Sequence, residues 1–488
     1  MNIQPLLTDF PSTTFATSKR VQQAAIRRKR REMIAESPSG YGVIFGDVLP
    51  PQTLAEFDPT CRQRQFGHVP MLWAWTAQIL DGNEACSRGL GYVQSWSAAR
   101  GMPAPTVGTG AFCRARSRMS EEFIGKCSRR VDAAMAGAVR DEDRWQGFTL
   151  KAIDGSSVKL MDTPENQEAF PQPTEQKPGC GFPVMSVSGL LNLSHGGWED
   201  LVVGKLNDSD ATLALGLMDH LGEGDLLLAD RAYCSYRLMA GLRERGAHGV
   251  MRLHQRRESV LDWRKGKWLG AHERLVTWRR PMFSNVSKSM TRAQWEALPE
   301  QLELRLIRLG CEDRQGKRRS MTVATTLTDH RRDDGIELHA LYARRWEIEL
   351  RLRDIKTTLD FEMIRARAPE MAVKTLSMIR FAYNLLRWVI QRAAITSGRP
   401  VTTVSFKGAL HLLGAMHESF LTEVGKPRRR ASRLDMLIEL ASRRRIEPRP
   451  GRSEPRAVKR RPKPFALLTS PRHEFVETPH RSNYRKDS

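Results

Sequence analysis

At 488 residues the chain is long enough for two to four domains, and a hydrophobic content of 40% buries at least one sizeable core, which excludes a disordered or fibrous chain. A formal net charge of +23, from 78 Lys and Arg against 55 Asp and Glu, calls for an anionic partner, and nucleic acid leads the candidates. No apolar run reaches the roughly 20 residues of a membrane span, and Met1 to Phe15 lacks the charged-then-apolar pattern of a secretory signal. A soluble cytoplasmic protein is the expectation.

In chain order, residues 17 to about 37 read as a basic helix, with five cations from Arg27 to Arg31 that repel one another unless solvated or bound to phosphates. From about 50 to 145, apolar and small residues recur at helical spacing, with Gly and Pro breaks between Gly101 and Gly110. From Phe148 the texture changes to short β-branched or leucine-rich runs: FTLKAID, PVMSVSGLLNL, EDLVVGKL and DLLLAD predict strands, and AYCSYRLMAGLRERG a following helix. Between about 250 and 330, runs such as RLVTW, LELRLIRL and SMTVATTL predict a β-rich insertion, and helix returns from Gly335 to about Thr396. Residues 425 to 488 hold 19 Lys and Arg against 7 Asp and Glu and many prolines, the composition of a flexible basic tail.

The seven cysteines, Cys61, Cys86, Cys113, Cys127, Cys180, Cys234 and Cys311, form no C-x2-C pair, so a structural zinc site is not expected. The histidines show no ligand spacing. Ser156 and Ser157 lack the G-x-S-x-G elbow and placed His of a serine nucleophile.

The most informative segment is LYARRWEIELRLRDIKTTL, residues 341 to 359. At about 100° per residue, Tyr342, Arg345, Glu349 and Lys356 fall on a stripe about 60° wide, and Leu341, Ile348, Leu352, Ile355 and Leu359 fall directly beside it. A surface helix laced with ion pairs, each worth tenths of a kcal/mol, has the same geometry. The spacing Y-x2-R-x3-E-x6-K, with Trp346 after the Arg, resembles the signature of the insertion-sequence-four family of bacterial DDE transposases. Two upstream aspartates have the contexts that resemblance requires: Asp154 ends an apolar run in LKAIDGSS, and Asp230 ends a leucine run in DLLLADRAY. Ala232 stands where the family usually has Gly in A-D-R-G-Y.

The resemblance implies an α/β fold with an RNase H-like catalytic core, a mixed sheet flanked by helices, that carries a β-rich insertion and follows a helical N-terminal domain. It implies a helical domain that binds DNA ends over 1–147, the core over 148–250 and 331–396, the insertion over 251–330, and a helical segment and basic tail over 397–488. Asp154, Asp230 and Glu349 become catalytic metal ligands, with Asp154 bridging two Mg²⁺ ions roughly 3.5 to 4 Å apart and Mn²⁺ able to substitute. Hard cations take oxygen ligands, which is why carboxylates and not Cys or His are used. Tyr342, Arg345 and Lys356 become contacts to transposon-end phosphates. Trp346, or Trp263, Trp268 or Trp278 of the insertion, becomes a candidate to stack a base.

The implied function is cut-and-paste transposition on double-stranded DNA, both terminal inverted repeats and target, by a homodimer in a synaptic complex, in a bacterial cytoplasm close to the nucleoid. Two alternatives stand beside it: an RNase H-like nuclease without strand transfer, and a decayed or domesticated DNA-binding protein. The Arg-rich segments, Arg27 to Arg31 and Arg428 to Arg461, are expected to supply non-specific DNA affinity.

Overall fold

The structure, a computed structural model, describes residues 39–58, 66–82, 85–99, 103–286, 290–312 and 318–446, together with 470, 471 and 474. The basic stretch at Arg27 to Arg31 and most of the expected tail lie outside the described residues.

Two compact units divide the chain: one runs to Ala134 and takes in Leu410–Leu440, and the other comprises Met135–Ala409 and the residues from Ala441. The expected 397–488 segment is therefore shared between them. In the first unit, α1 (His68–Leu80) is apolar almost all round and buried along its length, and α2 (Cys86–Ala99) and α3 (Gly110–Arg118) follow. The Asp81 carboxylate after α1 accepts from the Tyr92 hydroxyl at 2.6 Å and from Arg88 at 2.8 Å. The tail expected from 425 onward is corrected at its start. Pro427–Ser442 is a helix because Leu434, Leu437, Ile438 and Ala441 recur at helical spacing and are buried, a stripe that the Arg and Pro content disguises.

The second unit is built on one ten-stranded sheet. Its strands are β1 (Thr149–Leu160), β2 (Val184–Asn192), β3 (Trp198–Lys205), β4 (Asp225–Ala229), β5 (His248–Arg252), β6 (Lys267–Gly270), β7 (Glu273–Arg279), β8 (Gln301–Glu312), β9 (Arg318–Thr325) and β10 (Met363–Ile364). The order is β3-β2-β1-β4-β5-β9-β8-β7-β6, with β10 paired to β1. β1, β4 and β5 are parallel, and β2 and β3 form an antiparallel meander at one edge. This mixed 3-2-1-4-5 arrangement is the RNase H-like core. The expected insertion holds β6 to β9, and β9 pairs antiparallel with β5 and carries the same sheet onward.

β4 reads as continuous apolar sequence because it is covered on both faces. On one face Leu227 and Ala229 join Ile153, Leu190, Met239, Leu242, Met251, Leu304 and Leu306 in one apolar cluster. Within the insertion, the alternation of β7 turns Trp278 inward opposite Leu302, with the Arg257 guanidinium 3.9 Å from its ring. Trp278 is thus a core residue, whereas Trp268 is exposed and the Trp263 ring has the Arg274 and Arg308 guanidiniums 5.2 and 4.4 Å from its centroid.

The helix expected from Gly335 to about Thr396 is present in several pieces. α4 (Gly335–Tyr342) passes through a tight turn at Ala343–Arg345 into α5 (Trp346–Arg353), which widens into a π turn at Asp354–Thr358. Asp360, at φ 56°, ends the run, β10 follows, and Pro369 opens α6 (Pro369–Thr396) at a position where its missing N–H costs nothing. The apolar stripe still faces inward: Leu341, Ile348, Ile355 and Leu359 are all buried.

Candidate active site

β1 and β4 run in the same direction, with Thr149 beside Asp225 and Ala152 beside Leu228. Continuing that offset sets Ile153 beside Ala229 and Asp154 beside Asp230. β4 stops at Ala229, so Asp230 leaves the sheet as Asp154 comes level with it. Asp154 does not end its own strand as expected; β1 continues to Leu160 because β2 pairs with it throughout, Asp154 opposite Gly189. Farther along, β10 takes up the same edge of β1 at Lys159 and Leu160. Between the end of β4 and the start of β10 that edge is open, and Asp154 sits in the opening. In parallel α/β sheets the crevice beyond the strand ends is where ligands bind.

Each aspartate is held by its own backbone. Gly155 N–H donates to Asp154 Oδ1 at 2.9 Å, and Ala232 N–H donates to Asp230 Oδ1 at 2.7 Å. The Ala at 232 therefore does not disturb the turn that presents Asp230.

Glu349 reaches this crevice from α5, which packs against β1. Arg345 joins it to the first aspartate: Nη2 donates to Glu349 Oε1 at 3.0 Å, and Nη1 lies 3.6 Å from Asp154 Oδ2. Arg345 is only 7% exposed. Burial works against its charge, yet Tyr342, Glu349 and Asp154 together raise its affinity for the proton. The Asp154 carboxyl is pushed up to about 6, chiefly by burial, with the charges of Asp230 and Glu349 adding to it and Gly155 and Arg345 opposing it. The three acidic residues thus share one electrostatic neighbourhood, although among the described residues no three ligating side chains converge closely enough to hold an ion as they stand.

The remaining signature residues separate. Tyr342 is buried beside Arg345, within the influence of Asp230 and Arg252. Trp346 is 57% exposed, with the Arg345 guanidinium 4.9 Å from its ring. Lys356 lies in the π turn, where burial lowers its proton affinity and Glu362 partly restores it.

Arg252 at the crevice and Asp210 on the other face of β1 escape the sequence reading. Arg252 ends β5, one strand beyond β4, and its only signal is a cation closing an apolar run. Asp210 opens a short helix after β3 and looks like an ordinary helix-start acid. A Cβ on residue 155 would stand 2.6 Å from Asp210 Oδ1 and 3.5 Å from the Tyr233 hydroxyl, so Gly155 is what lets Asp210 approach β1.

Residues 145–385, the span that contains all of these groups, match the model of the transposase DDE domain. Over 436 residues the chain is 27% identical to the transposase InsG for insertion sequence element IS4 of Escherichia coli strain K12, covering 86% of this chain and 92% of that one. The chain belongs to the insertion-sequence-four family of DDE transposases. A piggyBac transposase, solved by cryo-EM as a synaptic complex with hairpin DNA, aligns with this transposase at a TM-score of 0.39 and 10% identity, over 85% of this chain and 86% of that one. No helix among the described residues is long and apolar enough to cross a membrane.

Proposed function

We propose that this transposase cleaves double-stranded DNA at the terminal inverted repeats of its element and joins the freed ends to target DNA, with Asp154, Asp230 and Glu349 as the catalytic carboxylates. The observation that carries this reading is the sharing of Arg345 by Asp154 and Glu349 beside the matched positions of Asp154 and Asp230.

The donor set fits hard divalent cations. Every acidic side chain at the opening offers oxygen, and Asp154 is raised by Asp230 and Glu349, a like-charge excess that a cation relieves. Asp154, Asp230 and Glu349 would hold two Mg²⁺ ions, for which Mn²⁺ can substitute; such ions make a water or 3′-hydroxyl nucleophilic and stabilise the leaving oxygen.

The chain's own residues do the rest. Arg345, between two carboxylates and next to an exposed Trp346, is placed to exchange a carboxylate for a phosphate oxygen when DNA enters, since a guanidinium binds either in a forked geometry. Tyr342 and Lys356 add phosphate contacts that fix the register of the DNA. Trp346 presents a π-face on which a displaced base can stack. A homodimer that brings two ends together completes the reading.

The test uses a supercoiled plasmid carrying the element's own ends, with Mg²⁺. Glu349→Gln and Asp154→Asn should abolish cleavage and joining while end binding in a gel shift is retained. Equal loss of binding and cleavage would make these residues structural, and cleavage without joining would make the protein a nuclease.

A further inference from the structure

Two cysteines that are far apart in sequence come together in the helical first unit. Cys86 opens α2, and Cys113 lies in the first turn of α3. The two helices approach closely at this point because residue 89, one turn beyond Cys86, is glycine. A Cβ there would stand 2.5 Å from Phe112 Cζ, the ring that precedes Cys113 in the chain. The Cys86 and Cys113 thiols are thereby within hydrogen-bonding reach of each other. Cys113 is exposed and Cys86 half-buried, so an oxidant arriving from solvent meets the pair.

A cation stands against this pair. Arg116, one turn after Cys113, donates from Nη1 to Cys86 Sγ at 3.0 Å, and its guanidinium lies 4.2 Å from the centroid of the buried Trp75 ring. Its Nε is buried and has no hydrogen-bond partner. Burial works against the guanidinium's charge, and the groups that support it are Cys86 and Cys113, with no carboxylate among them. A buried charge is tolerated when it is paired, so sulfur is the counter-charge that Arg116 has at hand. Reactive cysteines sit in such electropositive, partly exposed surroundings, because the thiolate is the nucleophile. Cys127 and Cys234 have the opposite setting: both are buried, and burial pushes each thiol up to about 12.

We propose that Cys86 and Cys113 are a peroxide-sensitive thiol pair, in which Cys86, held by Arg116, attacks the oxidant and Cys113 closes an intramolecular disulfide between α2 and α3. In the first step the Cys86 sulfur, its proton lost to solvent, attacks one oxygen of hydrogen peroxide. The S–O bond forms, the O–O bond breaks, and the departing hydroxide takes up a proton as water, leaving a sulfenic acid. In the second step the Cys113 sulfur attacks the Cys86 sulfur. The S–S bond forms, the S–O bond breaks, and the hydroxide leaves with the Cys113 proton as a second water. Two thiols have lost two electrons, and one peroxide has become two waters.

The test is peptide mapping of the full chain by mass spectrometry under non-reducing conditions, before and after hydrogen peroxide. A cross-linked peptide pair joining Cys86 to Cys113 should appear with peroxide and vanish with dithiothreitol. In Cys113→Ser the reaction should stop at the Cys86 sulfenic acid, which dimedone labels. Adding Arg116→Gln should slow that labelling about 10-fold, and Arg116→Lys should restore most of it. Absence of the cross-link from the folded wild-type chain overturns the proposal without recourse to any variant. Dimedone labelling of Cys113 in Cys86→Ser as fast as that of Cys86 in Cys113→Ser overturns it as well, because the two sulfurs would then have no distinct parts.

Discussion

Gly155 and Asp210 meet as backbone and carboxylate: a methyl group on residue 155 would stand 2.6 Å from Asp210 Oδ1. The obstructing atom is the far end of a movable side chain, so Gly155→Ala should fold at a cost of about 1 kcal/mol and push Asp210 away from β1. The expected result is a modest drop in melting temperature, read by thermal denaturation. An unchanged melting temperature in G155A would show that Asp210 moves aside at no cost.

Asp154 couples stability to pH. Its carboxyl titrates at about 6 in the fold, against about 3.9 when unfolded. Between those values the native state binds more protons, so stability falls as pH rises from about 4 to about 6 and is flat above. Asp154→Asn lacks that penalty. It should exceed the wild type by on the order of 1–2 kcal/mol at pH 7.5, after allowing for partial solvation, and converge with it below about pH 4. Urea denaturation at the two pH values checks this; a less stable variant at pH 7.5 contradicts it.

One guanidinium spans Asp154 and Glu349. Arg345→Gln should cut end cleavage about 100-fold or more and weaken end binding in a gel shift. Arg345→Lys should not rescue cleavage, since an ammonium is a point charge without the fork. Full activity in the Lys variant would show that only the charge matters.

The two tryptophans flanked by arginines should part company. Trp278→Ala should destabilise by about 3–5 kcal/mol, as expected for a large aromatic removed from a core in which Trp278 is packed. Trp346→Ala should leave the melting temperature almost unchanged and lower strand processing, because Trp346 is exposed beside Arg345. Denaturation curves with cleavage assays separate the two, and equal destabilisation would show that Trp346 is packed as Trp278 is.

Truncation divides the basic C-terminus. Stopping after 446 should keep the fold and flatten the slope of log DNA affinity against log salt by about 0.9 for each phosphate that the tail would have neutralised. Stopping before Pro427 removes Leu434, Leu437, Ile438 and Ala441 from buried positions, at about 1.5–3 kcal/mol for each large side chain, and the shorter protein should unfold at lower urea. An unchanged salt slope in the longer truncate excludes the tail from DNA contact.

The strands of the core were legible because leucine and β-branched runs have few other uses, and the three candidate acids because each stood in a recognisable context. Pairing was not legible. Nothing in LKAIDGSS shows that β2 continues beside it, so Asp154 looked like a strand end when it is mid-strand. Periodicity suggested one helix after Gly335, but it carries no information about Asp360 in a left-handed conformation or about the π turn. The Asp210 contact was hidden because it is made to a glycine 55 positions earlier, a relation that only the tertiary fold creates.

The two residues of β10 have a reach out of proportion to their length. By pairing with Lys159 and Leu160, they fasten the end of the Glu349 segment to the very strand that bears Asp154. The third acid is thereby located from β1 and not through the 118 residues strung between Asp230 and Glu349. Strands β6 to β9 lie at the sheet's opposite flank, so they contribute to the shared core through Trp278, Leu302, Leu304 and Leu306 without setting the spacing between Asp154 and Glu349.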